Sequence, residues 1–182
     1  MEINEVLDEQ FTQDGHVTIP TVTTTQFTVL FLCSLGLYGP WWMYKQWKFF
    51  KEKDNLDIMP AARAIFSIFF MHGLLERIKR FAGSNGVTAA YSSTGLFVWY
   101  IVCNVLSNLP DPAWLFSFLG VFSFFPPVKV FTEALTQSAV YTTTRTGFNT
   151  RQIILIVLGL LFWGLILLGL MLPEDSYSGE SF

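Results

Sequence analysis

His72 and Glu76, four residues apart, and the isolated Arg63 are the residue types in this chain best suited to chemistry. A spacing of i, i+4 sets two side chains on one helical face. The His72–Glu76 pair is therefore a candidate proton relay, or half of a metal site. Two ligands do not complete a zinc site, and the other histidine, His16, belongs to an N-terminal tail expected on the opposite side of a membrane. No metal site and no cofactor are expected. Arg63 borders the apolar run Ala64 to Leu75. A guanidinium at membrane depth can clamp a phosphate or headgroup with its planar fork, or snorkel to the nearby interface. Lys129 and Glu133 have the spacing of an ordinary ion pair at a helix end. Cys33 and Cys103 both fall inside apolar runs and give no disulfide framework. The sequence has no Gly-rich phosphate loop, nucleophile elbow or paired carboxylates. No catalytic residue is assigned and an enzyme is not expected.

The elements that would position these residues are apolar runs. Of 182 residues, 52% are hydrophobic and 14% charged. Ordinary soluble domains carry about 25% charge, so the balance is that of a protein in lipid. Spanning about 30 Å takes about 20 helical residues. The first run, Phe27 to Tyr44, is expected as one helix kinked at Pro40 and continued by a cationic amphipathic extension, Lys45 to Asp54. Thr21 to Thr25 before it reads as extended. Ala64 to Leu75 gives about 18 Å of helix, which suits a re-entrant or interfacial segment more than a span. A turn at Ser84-Asn85-Gly86 leads to Ala89 to Leu109, long enough to cross. Pro110-Asp111-Pro112 forces an antiparallel return, Ala113 to Val128, ending at Pro126-Pro127. Thr132 to Arg151 is polar, and its Tyr141-Thr142-Thr143-Thr144 is a poor helix. Ile153 to Leu172 is the clearest span. Gly159, Gly164 and Gly169 recur in it every five residues, so they fall on no single face and read as local close-packing points.

Charge then orients the chain. With the short segment entering and leaving on one side, all eleven Lys and Arg residues lie on that side with five acids, and the other side holds nine acids and no base. The Lys/Arg bias marks the first side as cytoplasmic. The expected fold is an all-α membrane protein with four transmembrane helices plus one short re-entrant or interfacial helix. Its parts are an acidic non-cytoplasmic tail (1–26), a helical membrane domain (27–172) and an acidic C-terminal tail (173–182). The first 26 residues hold five acids, no Lys or Arg and no apolar stretch, unlike a cleaved signal peptide. Tyr38, Trp41, Trp42, Tyr44 and Trp47 form an interfacial aromatic belt. Lys45, Lys48 and Lys51 beyond it, with Arg63, are candidates for binding anionic headgroups.

The block Gly36-Leu37-Tyr38, Trp42-x-Tyr44-x-x-Trp47-x-x-x-Lys51 and Pro60-x-x-Arg63-Ala64-Ile65-Phe66 resembles a family of small bacterial membrane proteins, a domain of unknown function. The resemblance runs from about Phe27 to Leu172, including the Gly159-x-x-x-Trp163 stretch. Members often carry Gln after the Pro-Val and Asn further along that helix, where this chain has Lys129, Glu133 and Thr136. The resemblance implies a multi-pass protein of the bacterial inner membrane and supplies no activity. Apolar spans without charge speak against a transporter. The leading expectation is a non-enzymatic accessory or scaffold subunit that packs against a larger membrane complex. A small channel, transporter or lipid-binding protein using the short helix ranks second. Expected partners are membrane lipids and other membrane proteins, not nucleic acid.

Overall fold

The computed structural model describes residues 17–110, 113–145 and 147–171. The protein is mostly helical. Strand β1 (Val17–Thr21) precedes α1 (Thr24–Cys33), α2 (Tyr38–Lys53), α3 (Pro60–Ile65), α4 (Ser67–Ser84) and α5 (Ser93–Leu106). A 3-10 helix (Ala113–Phe124) then runs straight into α6 (Phe125–Gln137), followed by β2 (Tyr141–Arg145) and α7 (Thr150–Met171).

Several expected elements are corrected. The first apolar run is two helices, not one span. Thr23 caps α1 with a reciprocal pair of bonds: its Oγ1 accepts from Gln26 N at 3.1 Å, and its own N donates to Gln26 Oε1 at 3.0 Å. The chain leaves α1 at Leu35 and Gly36, both at positive φ, and Gly36 N donates back to Phe31 O. Such a left-handed exit suits glycine and ends a helix. Ser34 Oγ accepts from Tyr38 N at 2.8 Å and starts α2. Pro40 sits in the first turn of α2, where an amide hydrogen would have no helical partner, so no kink follows.

The short segment is also divided. Pro60 opens α3 as expected, Phe66 breaks the helix, and α4 continues to the Ser84-Asn85-Gly86 turn. Helix α5 has 14 residues, about 21 Å, which falls short of a bilayer. The return after it does pack back along α5, with Trp99 Nε1 donating to Leu119 O at 3.1 Å. Its prolines do not end it. Pro126 and Pro127 open α6, where they fit the first turn.

In place of four spans, two helices among the described residues are long and apolar enough to cross a membrane: Trp114–Gln137 and Thr150–Gly169. The first is 44% buried and the second 6%. A buried core helix of a soluble protein passes the same test, but the second is almost wholly exposed and does not fit that description.

Two aromatic nests hold the bundle. Phe124, fully buried, has its ring centroid 5.2 to 5.9 Å from those of Phe27, Phe31, Trp42 and Tyr100. It thereby ties α1, α2, α5 and the 3-10 helix at distances where aromatic pairs attract. Phe49, Phe81, Phe131 and Tyr141 form the second nest, joining α2, α4, α6 and β2.

Strands β1 and β2 pair in parallel, Val17 against Tyr141 through Thr21 against Arg145. This corrects the expected topology. Residues bonded in one ladder cannot lie on opposite faces of a bilayer, yet the sequence placed 17–21 outside and 141–145 inside. With Tyr141 packed on Phe49 and Phe81, β1 shares the end of the molecule that carries the Lys53 and Arg77 turns. The helix break at Leu35–Gly36 explains how: α1 and α2 form a bent pair, and the chain need not cross between them. The acidic residues 1–16, Asp111 and the tail 173–182 lie outside the described residues.

Candidate functional site

The basic end is built where the C-terminal turns of α2 and α4 meet. Alternation of lysine with phenylalanine on α2 buries Trp47 and Phe50 and leaves Lys51 and Lys53 exposed. Arg63, from α3, lies with its guanidinium 4.5 Å from the Trp47 ring centroid and 5.0 Å from that of Phe70. Arg77 of α4 approaches the same indole at 5.7 Å. Gly73 faces this ring as well. Two guanidiniums thus share one buried indole, and Arg63 is held by aromatic faces rather than aimed as a free clamp.

The lysines proposed for headgroups occupy other surfaces. Lys45 lies over Trp41 at 5.9 Å, and Trp41 stacks on Tyr44. Lys48 pairs with Glu52 at 3.7 Å, an exposed i, i+4 pair worth little in stability. Lys51 is exposed. The structure does not gather these three with Arg63 into one pocket. It gathers instead Lys53, Asp54, Arg77 and Arg80, which sequence reading did not single out. Asp54 bridges Lys53 at 2.9 Å and Arg77 at 3.5 Å. The signal that could have found them is a carboxylate at the end of a lysine-rich helix together with two arginines three apart on the next long helix.

His72 and Glu76 face α5, along a polar seam between two antiparallel helices. Ser67 Oγ and Tyr100 Oη are 3.0 Å apart and buried. His72 Nε2 lies 3.4 Å from Thr94 Oγ1, and its ring packs edge-on to Phe97. Tyr91 donates to Leu75 O at 3.0 Å, and Lys79 donates to Tyr91 O at 3.3 Å. Burial pushes the Tyr91 hydroxyl pKa well up, so it acts as a neutral donor. The Ser93 hydroxyl beside Glu76 holds that carboxyl below the usual range, helped by Lys79, His72 and Arg80, although no well-aligned bond joins Ser93 to it. A low carboxyl pKa keeps Glu76 charged and makes it a poor proton carrier near neutrality. His72 thus contacts a hydroxyl of α5 while Glu76 carries its charge beside the same seam, and the seam fastens α4 to α5. Ser67, Tyr91, Ser93, Thr94 and Tyr100 were not recognised from sequence, because single hydroxyls in apolar runs carry no spacing signal.

Among the described residues no group of three or more His, Cys, Asp or Glu side chains is placed to hold a metal. Cys33 and Cys103 are free thiols. Comparison with protein-family models, curated proteins and solved structures finds no match.

Proposed function

We propose that this chain is a multi-pass protein of a bacterial inner membrane that acts without catalysis, as an accessory or scaffold subunit against larger membrane proteins. The observation that carries the reading is where the large apolar side chains stand exposed. Ile65, Phe66 and Phe69 at the α3–α4 break, Val98 and Val105 on α5, Phe116 and Phe122 on the 3-10 helix, and most of α7 all face outward. Soluble monomers rarely expose contiguous apolar patches beyond a few hundred Å². The cations meanwhile gather at the end that bears β1, β2 and the close of α4. The resemblance to small bacterial membrane proteins supports the same compartment and names no activity.

Along the α4–α5 seam Ser67 bonds to Tyr100 and His72 to Thr94. Among the described residues the buried polar atoms of Thr21, Gln46, Ser93 and Ser123, on four different elements, have no partner and form no continuous polar seam of their own. In this reading the basic end is cytoplasmic, and β1 lies on that side with it. A cysteine at Ile19 is therefore labelled from the same side as one at Ser84.

A photo-cross-linker placed at Phe116 or Leu161 in cells tests the role. The expected result is a discrete protein adduct from one of these positions and none from Lys51, on the solvent-facing side of α2. Adducts to lipid alone at both apolar positions would remove the accessory reading. Reproducible proton flux in liposomes that disappears in Glu76→Gln would replace it with a small transporter.

A further inference from the structure

We propose that the groove between the last turns of α2 and α4 binds the phosphate of an anionic phospholipid headgroup. The inference rests on the membrane reading above, but not on the accessory role.

The groove has a volume of about 220 Å³ and is lined by Lys53, Asp54, Arg77, Arg80 and Ser84, with Phe50 and Phe81 as apolar walls. That is below the roughly 300–1,000 Å³ of sites for drug-sized ligands, and is suited to a headgroup rather than a whole organic cofactor. Three cations face one carboxylate, a surplus of two positive charges. Asp54 does not cancel the site so much as order it: bonded to Lys53 on one side and Arg77 on the other, it fixes both cations on one wall. Arg77 is further constrained by the Trp47 ring, and Lys53 by Phe81 at 5.5 Å. Arg80 gives its Nε to Glu76 O at 3.5 Å, and among the described residues its terminal nitrogens have no partner. A planar fork with free donors is the group that matches phosphate oxygens two at a time. Ser84, whose hydroxyl donates to Phe81 O, adds an oxygen at the rim.

Cations at helix C-termini also complement the carbonyl end of the helix dipole. That accounts for Lys53 in the final turn of α2. It does not account for Arg77, two turns before the end of α4.

The path leading from the groove distinguishes a lipid from a free anion. Arg80, Gly73 and Phe69 fall on one stripe of α4, and Phe69 is 76% exposed. The eleven helical steps from Phe69 to Arg80 span about 16 Å. Glu76 and Arg77 stand on that stripe between Arg80 and Gly73, so a phosphate held at Arg80 would carry its polar glycerol past them. Its acyl chain would lie from Gly73, exposed beside the Trp47 ring, towards Phe69, Phe66 and Ile65. Free phosphate would have no use for that apolar track.

Native mass spectrometry of the full chain with equimolar phosphatidylglycerol and phosphatidylcholine tests this. We expect the wild type to retain phosphatidylglycerol in preference. Lys53→Gln with Arg80→Gln should lower that retention roughly tenfold or more, the scale of a lost charged hydrogen bond, and Arg80→Lys should keep part of it. Lys48→Gln, a cation outside the groove, should behave as wild type. Arg80→Gln alone, at an exposed position, carries the test if the double variant loses its fold. Equal retention of the two lipids by the wild type, or unchanged retention in both groove variants, overturns the proposal. Displacement of the lipid by an equal concentration of inorganic phosphate overturns the lipid assignment. Flotation with phosphatidylcholine vesicles separates the two levels. A chain that floats but shows no phosphatidylglycerol preference refutes the groove, and one that fails to float refutes the membrane reading beneath it.

Discussion

Helix α7 and the nest around Phe124 are made from the same kinds of residue and meet opposite surroundings. Phe124 is fully buried among rings from α1, α2 and α5. Leu161, in the middle of α7, is 64% exposed. Helix α7 touches the rest of the protein along one narrow line. There Gly159 lets the backbone of α7 approach Cys33, and Trp163 Nε1 donates to Leu32 O at 2.9 Å. Hydrophobicity alone therefore does not separate a core from a lipid-facing surface. Contact with other side chains does.

The largest expected effect breaks the nest. Phe124→Ala removes a ring packed on all sides and should destabilise by about 3–5 kcal/mol, read as a fall in the unfolding midpoint in detergent. Leu161→Ala should leave that midpoint unchanged, because no protein cavity forms. Equal effects at the two positions would erase the distinction between core and lipid face.

Next is the seam by which α7 is attached. A methyl group at Gly159 would overlap the Cys33 backbone, whereas nothing lies within 4 Å of the same group at Gly164 or Gly169. Gly159→Ala should destabilise by about 1–3 kcal/mol and release the Trp163 bond, seen as a red shift of its fluorescence. Gly164→Ala should be neutral or slightly stabilising, since alanine favours helix. The five-residue glycine spacing thus holds one close-packing point, not three.

A smaller effect is expected at the α4–α5 seam. Ser67→Ala and Tyr100→Phe each remove one side of the buried 3.0 Å bond and should cost about 1 kcal/mol apiece. The double variant should cost less than their sum, since neither partner is then left unpaired. Strict additivity would show that the two hydroxyls do not interact.

The smallest is a pH effect at Glu76. Its folded pKa lies below the ordinary carboxyl value. Its stabilising contribution is therefore complete above the unfolded pKa near 4.3 and lost as pH falls through the lower folded value. Wild type and Glu76→Gln should differ slightly at neutral pH and converge in acid.

The sequence made α7 legible because 20 uncharged residues in a row need no partner to declare themselves. The Ser84-Asn85-Gly86 turn and the Pro60 helix start were legible from local chemistry. The break at Leu35–Gly36 was not, since it depends on Ser34 capping Tyr38 and on Phe31 and Phe124 packing about it. An apolar run of span length can be two helices bent on each other. The β1–β2 pairing was beyond reach for another reason. It joins segments more than a hundred residues apart, and five-residue strands rich in threonine carry no mutual address. Moving β1 to the basic end relocates no Lys or Arg, since Val17–Thr21 holds none. Of the site residues, Arg63, His72 and Glu76 were visible as ionisable groups in apolar context; Thr94 was visible to no spacing rule, and Trp47, expected in an interfacial belt, is instead the buried ring beneath Arg63.

The central claim is that the exposed apolar surface faces lipid. Nitroxide labels at Leu161, Phe116 and Arg80, in a Cys33→Ser, Cys103→Ala background that removes both free thiols and is reconstituted into vesicles, test it by relaxation with oxygen and with a water-soluble nickel complex. The account predicts that labels at 161 and 116 relax with oxygen and are shielded from nickel, and that the label at 80 responds to nickel. Nickel access at 161 equal to that at 80 would contradict it.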